Sequence, residues 1–205
     1  MRSAARTTVR SWRRALPRGI MSGMLNRLTI AALVLAASFA VPSTVAGGAS
    51  GSASVRANAT AWAVSQEGLH EIGTSNCGPQ INRWERQMGL EVPPCRVWCG
   101  AFVHQAFRQA GVQLSRRLID PHLSYADAVA DRRGLRSIPV SQIQRGDLVF
   151  YKFREGVRAS HLAIARARPS GGKLDTVEGN TSHAVRLERR GVQYIVLAAR
   201  VTGDA

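Results

Sequence analysis

Lysine is almost missing from this chain: only Lys152 and Lys173 occur among its 28 basic residues, and the rest are arginine. Aromatic residues amount to 6% and do not alternate with basic ones, so no stacking platform for nucleic acid is laid out. A phosphate-binding Gly loop and a Gly-x-Ser-x-Gly elbow are also missing. His70-Glu71 lacks the second histidine of a zinc helix, and no Asp/Asn cluster suggests a calcium loop. No apolar run reaches the ~20 residues of a membrane-spanning helix. The expectation is a chain without metal or cofactor, without a nucleic-acid partner and without a stable membrane span.

What is present begins with an export signal. Arg2, Arg6, Arg10, Arg13, Arg14, Arg18 and Arg27 stand in a leader with no acidic residue. Residues 28–41 are nearly all apolar, and Pro42 and the small-residue run Ser43-Thr44-Val45-Ala46 follow. A basic region, a short apolar region and a small-residue end make a secretory signal over 1–46. Met21 or Met24 as the true start would shorten the basic part, and Arg13-Arg14 leaves a twin-arginine route open. Residues 47–59, rich in Gly, Ala and Ser and without an apolar period, read as a flexible linker. Residues 60–205 are then one domain by length. The formal charge is +15, and the leader's seven arginines leave +8 for the remainder. That excess would draw the protein to anionic envelope polymers in a salt-sensitive way, although arginine-rich coding bias explains the same count.

The chemistry centres on Cys99. It opens a stretch with Phe102, Val103, Ala106, Phe107 and Ala110 at helical spacing. A thiol in the first turn of a helix lies near the positive end of the macrodipole, which favours its nucleophilic thiolate. His161 starts a short alternating apolar run, and Glu178 and Asn180 close another. A nucleophile, a base and polar groups that orient the base are the parts of covalent acyl transfer. Glu178 and Asn180 share strand parity, so both are expected on the face that meets His161.

Five segments, in order, resemble the CHAP group of cysteine amidohydrolases and peptidases. They are Asn76-Cys77-Gly78-Pro79, Trp98-Cys99-Gly100-Ala101-Phe102-Val103, Arg145-Gly146-Asp147-Leu148-Val149-Phe150, Ser160-His161-Leu162-Ala163-Ile164 and Glu178-Gly179-Asn180-Thr181. The resemblance covers roughly residues 60–201. It departs from the usual pattern at Ser160, where many members have Gly, and in the extra Cys77 and Cys95. It implies a papain-like α+β fold, with N-terminal helices packed on an antiparallel sheet. It also implies Cys99 as nucleophile, His161 as base, and Glu178 and Asn180 as orienting residues. The implied activity is cleavage of peptidoglycan amide bonds, at the muramoyl–alanine linkage or in the peptide bridge. The implied setting is the secreted or periplasmic envelope, and the protein is expected to be a monomer. Trp98, beside the nucleophile, is a candidate for lining the substrate groove, with core packing as its alternative.

With Cys99 as nucleophile, Cys77 and Cys95 remain to form a disulfide, which suits an exported protein. A Cys95–Cys99 bridge, or three free thiols, are the alternatives. Helices are expected at 61–72, 80–88 and from Cys99 onward, with helical turns near 125–129 in an otherwise unassigned connection, 112–146. Strands are expected at 147–153, 161–167, 174–178, 185–188 and 194–201, with turns at Gly171-Gly172 and Arg190-Gly191. Rival readings are an NlpC-type peptidase of the same architecture, a catalytically silent cell-wall binding module, and an effector turned against other cells.

Overall fold

The computed structural model describes residues 47–202, with side chains from Ser52 onward. The expected signal, 1–46, lies outside the described residues. Four α-helices and six β-strands follow one another: α1 (Gly47–Ser65), α2 (Pro79–Gln87), α3 (Cys99–Gln109), α4 (Pro121–Val129), β1 (Leu135–Ile138), β2 (Leu148–Tyr151), β3 (His161–Ala165), β4 (Lys173–Thr181), β5 (Ala184–Gly191) and β6 (Ile195–Val201). The fold is α+β, with helices packed against one antiparallel sheet of order β1-β6-β2-β3-β4-β5.

The sheet is a meander from β2 to β5. β6 does not continue it past β5. It returns to pair with β2 on one side and β1 on the other. β1 lies inside the 112–146 connection that carries no clear strand pattern. The expected turn at Gly171-Gly172 is present, with φ of 59° and 71°, values glycine adopts without steric penalty. Arg190-Gly191 is not a turn: β5 runs through both residues, and a short 3-10 turn, Val192–Tyr194, leads into β6.

The linker expectation for 47–59 is corrected, because those residues are helical and form most of α1. Alanine favours helix strongly, and α1 docks through an ion pair, two small side chains and the packing of Val55, Trp62 and Val64 on the core. Arg56 is buried and its Nε lies 3.5 Å from Asp147 Oδ1. Arg200 grips the same carboxylate at 2.9 and 2.7 Å. Ala59 and Ala63 are fully buried and let α1 lie close to the core. The helix ends at Ser65, so the expected helix at 61–72 stops seven residues early.

Helix α3 is the centre of the core. Phe102, Val103, Ala106 and Phe107 are all fully buried, and the helix packs on β3 and β4. Two glycines permit the close approach of α3 to its neighbours, Gly100 to residues 118–119 and Gly179 to the sheet. A Cβ at Gly100 would come within 1.7 Å of the Leu118 carbonyl oxygen, and one at Gly179 within 2.5 Å of Phe102 Cβ. Cys77 and Cys95 are joined in a disulfide with Cα atoms 5.4 Å apart, tying the loop before α2 to the segment that leads into α3. Among the described residues, no helix is long and apolar enough to cross a membrane.

Candidate active site

Cys99 is the first residue of α3 and a free thiol, 3% exposed. Its helix has no side-chain cap at Trp98, so the first-turn N–H groups are left to other partners. His161 opens β3 and Glu178 lies in the neighbouring β4. The packing of α3 on these strands brings the three side chains into a line.

His161 Nε2 and Glu178 Oε2 are 2.9 Å apart, and Cys99 lies close enough to the imidazole to act on its charge. With Nε2 held by the carboxylate, Nδ1 is the nitrogen left for the thiol. Burial works against a charged His161, but the hydrogen bonds and charges of Cys99 and Glu178 outweigh it and raise the imidazole to about 9. Burial likewise opposes the fully buried Glu178 carboxylate. Hydrogen bonds from His161 and Arg190 overcome that and hold it well below the usual carboxylate range.

Glu178 is held from all sides. Arg190 Nε donates to Oε1 and Nη2 to Oε2, each at 2.7 Å. Thr176 Oγ1 donates to Oε1 at 2.6 Å and Thr181 Oγ1 to Oε2 at 2.9 Å. Sequence reasoning missed all three of these partners. Thr176 was legible in principle, because it precedes Glu178 by two residues and so shares its strand face. Arg190 was hidden by its reading as a turn residue.

Asn180 does not join this line. The β4–β5 register breaks between Glu178 and Thr181, and Asn180 has φ 59°. The break ends the strand alternation on which its expected role rested. Its carboxamide lies 2.8 Å from that of Asn76. Turned to satisfy its neighbours, its oxygen accepts from the Trp98 backbone N–H at 3.1 Å and from the indole N–H at 2.9 Å. Asn180 therefore bonds the start of the Cys99 helix, and of the two only Glu178 hydrogen-bonds His161. Trp98 does not line a groove: it is fully buried, packs near Trp84 with ring centroids 6.1 Å apart, and donates its indole N–H to Glu71 at 3.3 Å.

A cleft of about 810 Å3 opens over the Cys99–His161 pair. Its lining includes Arg96-Val97, residues 119–122 and the β2–β3 loop from Phe153 to Ser160. That loop is tied to His122 where the Arg158 backbone N–H donates to His122 Nδ1 at 3.2 Å. His122 has no role in the sequence reading, and nothing in its neighbours signalled this bridge. His104 is fully buried in α3, with Gln113 as partner at 3.1 Å. His183 pairs with buried Glu71 behind the site. Among the described residues, no cluster of His, Cys, Asp and Glu has the makings of a metal site.

Residues 86–196, the stretch holding Cys99, His161, Glu178 and Arg190, match the sequence model of the NlpC/P60 family. The chain belongs to the NlpC/P60 family. That corrects the CHAP resemblance at the level of family while keeping the papain-like superfamily that NlpC/P60 shares with CHAP. The feature that set CHAP apart in the sequence was the Glu-x-Asn pair, and Asn180 of that pair bonds Asn76 and Trp98, not His161.

Among solved structures, the chain is similar to the peptidoglycan hydrolase RipB from Mycobacterium tuberculosis, at 18% identity over 77% of this chain and 69% of that one, with a TM-score of 0.48. It is similar to the P60 domain of an M. avium paratuberculosis antigen at 17% identity over 75% and 97%, with a TM-score of 0.47. For the resuscitation promoting factor interacting protein RipA the values are 20%, 75% and 63%, with a TM-score of 0.44. No curated protein sequence matches the chain.

Proposed function

We propose that this NlpC/P60 protein is a cysteine endopeptidase that cuts amide bonds in the peptide part of peptidoglycan, outside the cytoplasm. The observation that carries the reading is the buried line Cys99–His161–Glu178 at the floor of an open cleft. RipB, similar in fold class, is a peptidoglycan hydrolase, and the Cys77–Cys95 disulfide suits an oxidising compartment.

Cys99 Sγ attacks the scissile carbonyl carbon while His161 holds the proton it has taken from the thiol. The tetrahedral oxyanion meets backbone N–H groups of the first turn of α3, that of Cys99 included. Collapse breaks the C–N bond, and His161 passes its proton to the leaving amine. A water then attacks the thioester with His161 as base, releasing the carboxylic acid and the free thiol. Glu178 stays ionised throughout and fixes the ring so that Nδ1 faces the sulfur. The amidase alternative lacks this family support, and a silent binding module would have no use for an intact, polarised pair.

The deciding experiment is mass spectrometry of products from purified peptidoglycan treated with the protein and, in parallel, with its Cys99→Ala variant. Fragments with new peptide termini that depend on Cys99 support the reading, and their sequence names the bond. Release of intact stem peptides from muramic acid makes the protein an amidase. Equal release by the alanine variant removes Cys99 from the chemistry.

A further inference from the structure

Glu71 is a second buried carboxylate, 1% exposed, that the line Cys99–His161–Glu178 does not use. In the sequence it stands out only beside His70, in a pair that lacks the rest of a zinc helix. Both of its oxygens are occupied. Oε2 accepts the Trp98 indole N–H at 3.3 Å, and Oε1 pairs with Nδ1 of His183. Its backbone is fastened as well: the Glu71 N–H donates to the His183 carbonyl at 3.0 Å, and the next N–H, of Ile72, to the Cys77 carbonyl at 2.7 Å. Glu71 therefore joins the segment after α1 to the turn between β4 and β5 and to the residue that precedes Cys99.

That last connection matters because Trp98 is the cap residue of α3 and offers the helix no side-chain hydrogen bond. Its placement rests on what its own polar groups find. The backbone N–H meets the turned Asn180 oxygen at 3.1 Å, and the fully buried indole N–H is shared between that oxygen at 2.9 Å and Glu71. A hydrogen bond to a charged acceptor is stronger and more directional than one to a neutral group, the more so in a low-dielectric interior. Burying a carboxylate is costly, and an apolar side chain would fill the same space at less cost. What the carboxylate adds is direction, and an indole held at its N–H has both side-chain torsions fixed.

We propose that Glu71, steadied by His183, is a positioning residue of the thiol site: it fixes the Trp98 indole and, through it, the start of the helix that presents Cys99 to His161. This rests on the reading of Cys99 and His161 as nucleophile and base, and it deepens that reading by naming a carboxylate outside their line on which their alignment depends. Glu71, His183 and Trp98 do not line the cleft. Their loss should therefore appear in the rate of the chemical step and not in substrate binding. The His183 side chain is 55% exposed, so it can be removed without opening the core.

The test compares the full chain with Glu71→Leu, Glu71→Gln, His183→Ala and Trp98→Phe, each well below its thermal unfolding. Two things are read: kcat and KM on a peptidoglycan stem peptide, and the rate at which iodoacetamide alkylates Cys99, the one cysteine outside the disulfide. Glu71→Leu should lower kcat ~10-fold with KM unchanged, as misplacement of a reacting group does. It should also slow alkylation, because a thiol out of line with His161 is less ionised. Glu71→Gln keeps an oxygen for the indole and should restore most of both rates. His183→Ala should show a smaller loss of the same kind. Glu71→Leu added to Trp98→Phe should cost little beyond Trp98→Phe alone, since the shared bond is already gone. Parent-like rates in Glu71→Leu, an effect on KM alone, a glutamine variant no better than leucine, or a full additional loss in the double variant overturns the proposal. If Glu71→Leu does not fold, His183→Ala decides: slower alkylation at unchanged stability upholds the proposal, and parent rates end it. If the parent cuts no peptide, the endopeptidase reading fails, and the alkylation rates still decide the positioning.

Discussion

Arg190 grips both oxygens of Glu178, through Nε and Nη2 at 2.7 Å each, and shares Oε2 with His161. The Glu178 carboxylate is thus part of a chain of charge, His161–Glu178–Arg190, and not an isolated acid behind a histidine. Its guanidinium carbon also lies 5.1 Å from the Phe153 ring centroid, which fixes the arginine from its other face. Removing Arg190 leaves a fully buried carboxylate without its strongest charged donor. The expected result for Arg190→Gln is a loss on the order of 3 kcal/mol in stability and a fall in kcat that exceeds any rise in KM. Lysine should rescue poorly, since it cannot reproduce a two-bond fork. Urea titration and steady-state kinetics on the two variants check this, and a KM-only effect would contradict it.

His161 is raised from 6.5 to about 9, and Cys99 is among the causes. A folded value above the unfolded one means that the native protein binds this proton more tightly. The stabilisation from it is complete below about 6.5 and is lost as pH rises through about 9. Glu178 behaves in the opposite sense: its contribution is present above the ordinary carboxylate range and is lost only in acid. Activity should therefore fall on the alkaline side near pH 9, where the imidazolium that protonates the leaving amine disappears. In Cys99→Ala, NMR titration of the His161 ring should show a lower midpoint than in the parent, because one of its two supports is gone. An unchanged midpoint would mean that the thiol does not contribute.

Much of this site is legible in the sequence because its key residues sit on strong periodic signals. Cys99 heads a helix whose apolar face, Phe102-Val103-Ala106-Phe107, is unmistakable, and His161 and Glu178 lie on strands of β-branched and apolar residues. What was not legible depends on tertiary events. The first part of α1, 47–59, looked like a linker because its buried Ala59 is too small to mark a period, and because Arg56 finds Asp147 only after the sheet has formed. Asn180 misled because parity holds only while a strand stays regular, and a break at Glu178–Thr181 is invisible in composition. Arg190 is one arginine among many, and only the pairing of β5 with β4 singles it out.

The close approach of α3 to its neighbours makes Gly100 and Gly179 intolerant of any side chain. An added Cβ at Gly100 meets backbone, the Leu118 oxygen at 1.7 Å, and backbone cannot step aside as a flexible side chain can. At Gly179 it meets Phe102 and Trp98 at 2.5–2.9 Å, in the core beside the start of the Cys99 helix. Overpacking of this kind costs about 1–3 kcal/mol, occasionally more. Gly100→Ala should be the more damaging of the two. Gly179→Ala should fold while lowering the rate of Cys99 alkylation by iodoacetamide, because it displaces the helix start. Denaturant midpoints and alkylation rates, measured side by side, separate loss of fold from loss of alignment.

The disulfide offers the last test, because it constrains the approach to Cys99 without touching it. Cys77 and Cys95 are 18 residues apart, and the loop they close contains the whole of α2. Closing a loop of that length lowers the entropy of the unfolded chain by an amount worth ~3 kcal/mol. The double variant Cys77→Ser with Cys95→Ser should therefore unfold at lower urea by that margin. The effect on function should go further than stability. The bridge holds Asn76, through Cys77, against Arg96–Trp98, through Cys95, and Asn76 and Trp98 are the two groups that Asn180 joins. Without it, activity measured well below the unfolding transition should still fall, and Cys99 should alkylate more slowly. Full activity in the folded double variant would show that the Asn180 anchor alone suffices to place the helix that carries Cys99.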